Sequence, residues 1–550
     1  MTSAAETAFH QANRRAQAGD AQAALALYAA AIAADPGMAA AYVNRAAMLL
    51  ATGDTQGAFA AAKAASARFP ELAACYAVAG EAALAAGLPH AAEAELANAR
   101  KLAPDHTPIA NNLALALQAQ GRIGEALAVY AQAMVQAPDD RRLASNALMA
   151  AQYDPPGASL LAQARAWPGA QTGVSRPPAR PQGRLRIGYV SPDFCSHSCS
   201  YFLVPVLAGH DRAAVEIFAY SDVARPDGVT AAFRNLVPNW RDMAGRSDAA
   251  FCACVAADRI DVLVDCAGHT SGNRLAAFAQ RPAPVQLTWL GYPDTTGLDC
   301  FDARLVDAIS DPPGASDAQA SEPLERLDGG FLAYMPPPFA PPVGPLPMAA
   351  RGAPTFGSFN NLPKISDTTV ALWADILRAV PAARLVVKAK GLAEPAAQAR
   401  LVARFAAAGI APGRIVATPF DAAIQDHIKR YADIDVALDT TPYNGTTTTC
   451  EALWMGVPVV ALRGARHAAR VGASLLAQIG ADDWVAQDGA QFARIAANLV
   501  AAPDALAATR AGLRARVAGS RLCDGVRLAR GIEKLCVELT ARVASPVRML

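Results

Sequence analysis

Charge is scarce in this chain. Asp, Glu, Lys and Arg make up 18% of its 550 residues, below the quarter or so usual for globular proteins. The two signs also cancel, with 49 Lys+Arg against 48 Asp+Glu, so no nucleic-acid or polyanion partner is expected. No uninterrupted apolar stretch reaches the roughly 18 residues that a membrane span needs. The opening residues, MTSAAETAFHQANRRA, lack the basic-then-apolar layout of a signal peptide. Ten cysteines are scattered, and the close pairs Cys195/Cys199 and Cys252/Cys254 lack the paired spacing of a zinc site. Reduced structural thiols in a cytoplasmic protein are therefore expected. Also missing are the Gly-x-x-x-x-Gly-Lys-Thr loop and the Gly-x-Gly-x-x-Gly fingerprint, so neither an ATPase nor a nicotinamide enzyme is supported.

Apolar residues, by contrast, reach 53%, which suits a helix-rich chain with large cores. The length suggests about three or four domains. The first of them repeats itself. Gly19, Gly53, Gly87 and Gly121 are 34 apart, as are Pro36, Pro70, Pro104 and Pro138. Ala24, Ala58, Ala92 and Ala126 keep that step, and so do Ala31, Ala65, Ala99 and Ala133. This period is the tetratricopeptide signature. The Gly turns the chain between two helices, the alanines let those helices approach, and the Pro ends the second helix. Tyr28, Ala62, Leu96 and Tyr130 share a further packing register. RRLASNALMAAQYDP (141–155) reads as a closing helix. A solenoid of this kind supplies a concave groove for a protein or peptide partner and no chemistry; the plainer reading is a packing or dimerisation module.

After residue 160 the texture changes. Residues 161–184, rich in Pro and Gly, read as a linker. Short apolar, β-rich runs then alternate with helical segments: LRIGYVSPDF (185–194), VEIFAYSD (215–222), IDVLVDCAG (260–268) and APVQLTWLGYP (283–293). Past a Pro-rich connector (334–347) come PTFGSFN (354–360), ARLVVKAK (383–390), RIVATPF (414–420), IDVALDT (434–440) and VPVVAL (457–462). This alternation predicts parallel, doubly wound sheets. The expected architecture is a tetratricopeptide domain over 1–160, a linker over 161–184, and two Rossmann-like lobes over 185–345 and 346–550. Ligands of such sheets bind beyond the carboxyl ends of the strands.

Three loops at those ends carry chemistry. In NGTTTTCE (444–451) a strand hands over to a helix through four threonines, Thr446 to Thr449. Exposed N–H groups at the helix tip attract an anion. Small side chains admit a diphosphate, and Gly445 is expected to supply a φ value other residues resist. Glu451, about two residues into the helix, is placed to accept from a ribose diol. The alternative is a threonine-rich cap with Glu451 complementing the dipole. GSFNNLPKIS (357–366) brings Lys364, a mobile positive charge for phosphate. DHIKRYADID (426–435) brings His427, Lys429 and Arg430, while its Asp433 and Asp435 lie at the strand's start and read as structural. In the first lobe, SPDFCSHS (191–198) places His197 at a strand end, where an imidazole can take or orient a proton. GHTSGNR (268–274) and GYPDTTG (291–297) are further loops at strand ends.

Taken with the repeats, the motifs SPDFCSH, RPAPVQLTWLGYPDTTG, FNNLPKI and DTTPYNGTTTTCEALWMGVPVV resemble the O-linked N-acetylglucosamine transferase / SPINDLY family over nearly the whole chain. The resemblance implies a two-lobed glycosyltransferase of the GT-B type. Such an enzyme works without metal on a nucleotide-sugar donor and glycosylates protein Ser or Thr with inversion. By position, His197 matches the proposed general base and Lys364 the lysine on the donor diphosphate. Asn361 falls where animal members have a pyrophosphate-contacting Gln. His427 with Ile428, Lys429 and Arg430 matches the segment along the nucleotide, Thr447 and Thr448 match the threonine pair on the phosphates, and Glu451 stands for a ribose-binding Asp. Thr446 replaces the animal histidine beside the nucleobase, and TPFDAAIQD (418–426) lacks the animal ribose-contacting lysine. GTTTTCE is instead similar to the plant SPINDLY branch, whose donor is GDP-fucose. The leading expectation is transfer of N-acetylglucosamine from its UDP sugar. GDP-fucose or another activated sugar, as in flagellin modification, is the first alternative, and a repeat scaffold with an inactive transferase module is the second.

Overall fold

The structure is a computed structural model and describes residues 3–153, 160–170, 173–178, 183–421 and 423–544. The 34-residue period becomes four antiparallel helix pairs from Ala4–Gln17 to Ile123–Gln136, closed by Arg141–Ala151. Each expected turn glycine has positive φ: Gly19 +79°, Gly53 +90°, Gly87 +74° and Gly121 +73°. A side chain would be strained there. The spaced alanines are fully buried, and Tyr28, Ala62, Leu96 and Tyr130 fill the space beside them. Pro36, Pro70, Pro104 and Pro138 each follow a helix C-cap residue.

The closing helix does more than cover the last repeat. Its Ser145, Ala147, Leu148 and Ala150 are buried, and Leu148 joins the core of the following lobe. The expected linker over 161–184 is likewise structured at its start. Leu160–Arg165 is helical, and Trp167 and Ala170 are buried against the lobe. Trp167 reaches both the Arg141 carbonyl and Ser145 through its indole N–H. A tryptophan with its donor satisfied makes this stretch a wedge rather than a tether. Asp154 and Pro155 of the expected closing segment, and 171–172 and 179–182 of the linker, lie outside the described residues.

Two parallel sheets follow. The first contains β1 (Leu185–Ser191), β2 (Val215–Ser221), β3 (Asn239–Asp242), β4 (Val262–Asp265), β5 (Val285–Thr288), β6 (Ala303–Val306) and β7 (Leu324–Arg326), in the order β3-β2-β1-β4-β5-β6-β7. The second contains β8 (Thr355–Ser358), β9 (Arg384–Ala389), β10 (Ile415–Pro419), β11 (Val436–Leu438), β12 (Val459–Leu462) and β13 (Val485–Ala486), in the order β10-β9-β8-β11-β12-β13. Both are doubly wound, as the alternation predicted, and the order reverses beside β1 and β8. Strands β3, β6, β7 and β13 were not read from the sequence; they are short, and β3, β7 and β13 sit at sheet edges.

The lobes share a core. Phe331 and Tyr334 of the first pack in one cluster with Cys450 and Leu453 of the second. The helix Gly525–Ala544 returns to the first lobe, where Glu533 accepts from the His210 ring at 2.8 Å. Among the described residues no helix is long and apolar enough to cross a membrane.

Candidate active site

In each sheet the strand order reverses between two strands, β1 and β4 in the first and β8 and β11 in the second. Such switch points are where doubly wound sheets open a ligand crevice. The loops leaving β8 and β11 carry Lys364 and the four threonines.

These two loops are stitched together. Ser366, the cap of the helix Asp367–Ala379, donates through its hydroxyl to Thr441 O at 2.6 Å, and Thr369 does so at 2.7 Å. Lys364 is thereby turned inward. Its Nζ donates to Asn444 O at 2.7 Å and lies 3.8 Å from the centre of the Tyr443 ring. Lys364 makes no ion pair among the described residues, and burial draws its pKa below the ordinary lysine range, against the pull of Asp439. Asp439 is buried in turn, and burial pushes its carboxyl up. Its Oδ1 accepts from Gly445 N at 2.6 Å and Thr440 N at 2.8 Å. Asn444 is buried as well, and its side chain donates to Thr440 O and accepts from Gly472 N. Hydrogen bonds from both loops thus tie the cradle together.

Gly445 is needed for space rather than for conformation. Its φ is not positive, but a Cβ there would lie 2.5 Å from Thr448 Oγ1 and 2.8 Å from Asn360 Oδ1. The helix begins at Thr447, two residues before the sequence suggested, and its cap Thr446 makes no side-chain cap bond. Its first-turn N–H groups are therefore open to an anion. Thr446, Thr447 and Thr448 are partly exposed, while Thr449 is buried and bonds back to Gly445 O. Thr448 Oγ1 donates to Asn360 at 3.0 Å. Asn360 is thus the buried member of the asparagine pair; Asn361 is exposed.

Glu451 lies a full turn inside the helix and is buried. Its Oε2 accepts from His427 Nε2 at 2.9 Å and from the Tyr431 hydroxyl at 3.0 Å. The other His427 nitrogen, Nδ1, is 2.6 Å from Lys388 Nζ, which also pairs with Asp421 at 2.8 Å. An ammonium cannot accept, so Nδ1 must, and the ring proton sits on Nε2 facing Glu451. Burial lowers the Lys388 pKa while Asp421 opposes that. Phe359 and Phe420 flank the same imidazole. Lys388 and Tyr431 were missed by sequence reasoning. The available signal was a lysine in a strand that is otherwise apolar after Arg384. Lys429 and Arg430 stay on the outer face, exposed, with Lys429 on Asp426 and Arg430 near Asp421 and Asp433. The helical period explains this, because His427 and Tyr431, four apart, share the inner face. Asp435 accepts from Met348 N and Thr355 N, the structural role expected of it.

Across the crevice, His197 lies on the loop after β1 and is exposed. Its Nδ1 is 3.5 Å from Asp193 and accepts from Cys199 N at 3.3 Å. Cys199 of this loop is close enough to Tyr443 of the cradle to act on it electrostatically. Burial first, then the neighbouring Tyr153, Cys199 and Tyr292, push the Tyr443 hydroxyl well above its usual range. Tyr153, at the end of the solenoid, stacks on Tyr443 with ring centres 5.2 Å apart. The loop after β4 carries a histidine with a structural role. His269 is buried between Ser145 Oγ at 3.0 Å and Thr296 O at 2.8 Å.

Residues 173–339 and 348–531 match the model of glycosyl transferase family 41. The chain is 42% identical over 365 residues to a Solanum lycopersicum protein named probable UDP-N-acetylglucosamine–peptide N-acetylglucosaminyltransferase SPINDLY, which covers 66% of this chain and 39% of that one. The Oryza sativa subsp. japonica protein of that name is 43% identical over 353 residues, 64% of this chain and 38% of that one. The chain thus spans about two-fifths of the length of these relatives. A solved structure of a mutant Thermobaculum terrenum O-GlcNAc transferase aligns with TM-score 0.87 and 34% identity over 93% of this chain and 98% of that one. With the family model spanning both sheets and the loops that bring Lys364, His427 and the threonines together, the chain belongs to glycosyl transferase family 41.

Proposed function

We propose that this chain is a protein O-glycosyltransferase that moves N-acetylglucosamine from its UDP sugar to Ser or Thr of a protein, with inversion and without a metal cofactor. The observation that carries this reading is the inward Lys364, held on Asn444 O beside an uncapped helix tip. As the glycosidic bond to the donor breaks, negative charge grows on the departing diphosphate. Lys364 and the N–H groups at Thr447 and Thr448 stabilise that charge, and their preorganisation makes them effective. Glu451, with Oε2 held by His427 and Tyr431, offers Oε1 to the ribose, and Phe359 and Phe420 line the way to the base. His197 takes the proton of the attacking hydroxyl. The solenoid, fixed to both lobes, holds the acceptor protein near the crevice. Ten free thiols suit the reducing cytoplasm.

A second reading changes the donor to GDP-fucose, and it rests on Thr446 standing where animal members have a histidine beside the base. Calorimetry with UDP and GDP separates the two, since the diphosphate cradle serves both. Incubation with candidate nucleotide sugars and a whole-cell peptide pool, read by mass, tests the activity itself. A chain that bound no nucleoside diphosphate and added no mass would be a scaffold with an inactive module.

A further inference from the structure

Seven residues after β1 bring three different metal-ligating groups together. Ligand atoms of Asp193, His197 and Cys199 all lie within 4.8 Å of one another. Tetrahedral zinc bound at about 2.0–2.3 Å holds such atoms roughly 3.4–3.6 Å apart, and His197 Nδ1 to Asp193 Oδ1 already measures 3.5 Å. The turn carrying them is pinned along its length. Asp193 N donates to Ser191 Oγ, Ser196 N to Asp227, and the Ser200 hydroxyl to His197 O. The donor set therefore needs side-chain adjustment but no refolding. His197 is exposed and Asp193 and Cys199 partly so, which leaves an entry path and a fourth position for water. Thiolate, imidazole and carboxylate together suit a borderline-soft cation better than magnesium or calcium.

We propose that Asp193, His197 and Cys199 form a site for a divalent cation of the zinc class, and that filling it switches transfer off. On binding, the Cys199 thiol gives its proton to solvent and its sulfur bonds the metal, while Nδ1 of His197 donates its lone pair. The imidazole proton then resides on Nε2. With both nitrogens committed, the ring has no lone pair for a hydroxyl proton. The inhibition rests on the assignment of His197 as base; the binding does not.

The test is a titration of the full chain with Co2+, a spectroscopic substitute for Zn2+, after removal of metal by chelator. The expected result is a thiolate-to-metal charge-transfer band that saturates at one ion per chain, with release of the thiol proton. Cys199→Ser abolishes the band and weakens Zn2+ binding by about tenfold or more. Zn2+ also suppresses transfer in the unmodified chain, chelator restores it, and Cys199→Ser is suppressed far less relative to its own metal-free rate. A missing band, or one that persists in Cys199→Ser, overturns the site. Should that variant not fold, protection of Cys199 from alkylation by Zn2+ in the unmodified chain decides the matter, and unprotected Cys199 refutes the site. A saturating band in a chain inert towards every nucleotide sugar would uphold the metal site and refute the transferase reading instead.

Discussion

The His427 imidazole and the Glu451 carboxylate meet at 2.9 Å, both buried, from segments 24 residues apart. Lys388 on the opposite ring nitrogen makes the pair a relay of fixed polarity. His427→Ala takes one partner from each of two buried charges and leaves Lys388 on Asp421 and Glu451 on Tyr431. The expected loss is about 1–3 kcal/mol of stability, together with weaker nucleotide binding. Chemical denaturation and calorimetry with UDP or GDP measure the two effects. Unchanged stability would mean that the charges relax into solvent.

Lys364→Met removes the positive charge from the cradle and leaves a chain of similar shape. Turnover is expected to fall about 10²–10³-fold, in line with the loss of one electrostatic stabiliser. The melting temperature should move little, because the Lys364 hydrogen bond goes to a carbonyl that other contacts hold in place. Single-turnover rates and thermal melts on the same samples check this. Wild-type turnover in the variant would remove Lys364 from the chemistry.

Burial lowers the His269 pKa to about 4, from about 6.5 for an unperturbed histidine. The unfolded chain therefore binds this proton first as pH falls. The stability due to the neutral ring is complete above pH 6.5 and is lost progressively down to about pH 4, up to about 3 kcal/mol. Since the ring joins Ser145 of the closing helix to Thr296 of the lobe, this junction should loosen first. His269→Gln, which does not titrate, is expected to flatten the stability curve over that window. Equal slopes for the two proteins would contradict the assignment.

Glu394 of the second lobe accepts from the backbone N–H groups of His90 and Ala91. The helix Pro89–Leu102 has no side-chain cap of its own, since Leu88 stands at the cap position. Glu394→Ala is expected to cost about 0.5–2 kcal/mol, the range for a lost cap. Hydrogen exchange at those two amides should quicken while nucleotide affinity holds. Protection equal to wild type would show that another acceptor takes over.

Much of this molecule was legible beforehand, for identifiable reasons. The 34-residue period needs only nearest-neighbour packing, so Gly19 and its equivalents report their turns directly. Lys364 and Thr446 to Thr449 were found because strand-to-helix loops announce themselves through small and polar residues. Other features were hidden. Gly445 was expected to serve a special φ, but it makes room for Thr448 and Asn360, side chains that no local pattern brings near. Residues 161–170 looked like a tether because Pro and Gly say nothing about the pocket that receives Trp167.

Repeat spacing, strand alternation and the composition of the loops are properties of neighbours along the chain, and they suffice for the solenoid, the two doubly wound sheets and the place where a helix opens at the threonines. Which asparagine turns inward, which carboxylate faces His427, and which lysine becomes its partner depend on strand order. β8 must lie between β9 and β11 before Asn360, Lys388 and Glu451 can share one crevice. Hydrogen bonds act over about 3 Å, so contacts between such distant residues exist only once the sheet has assembled.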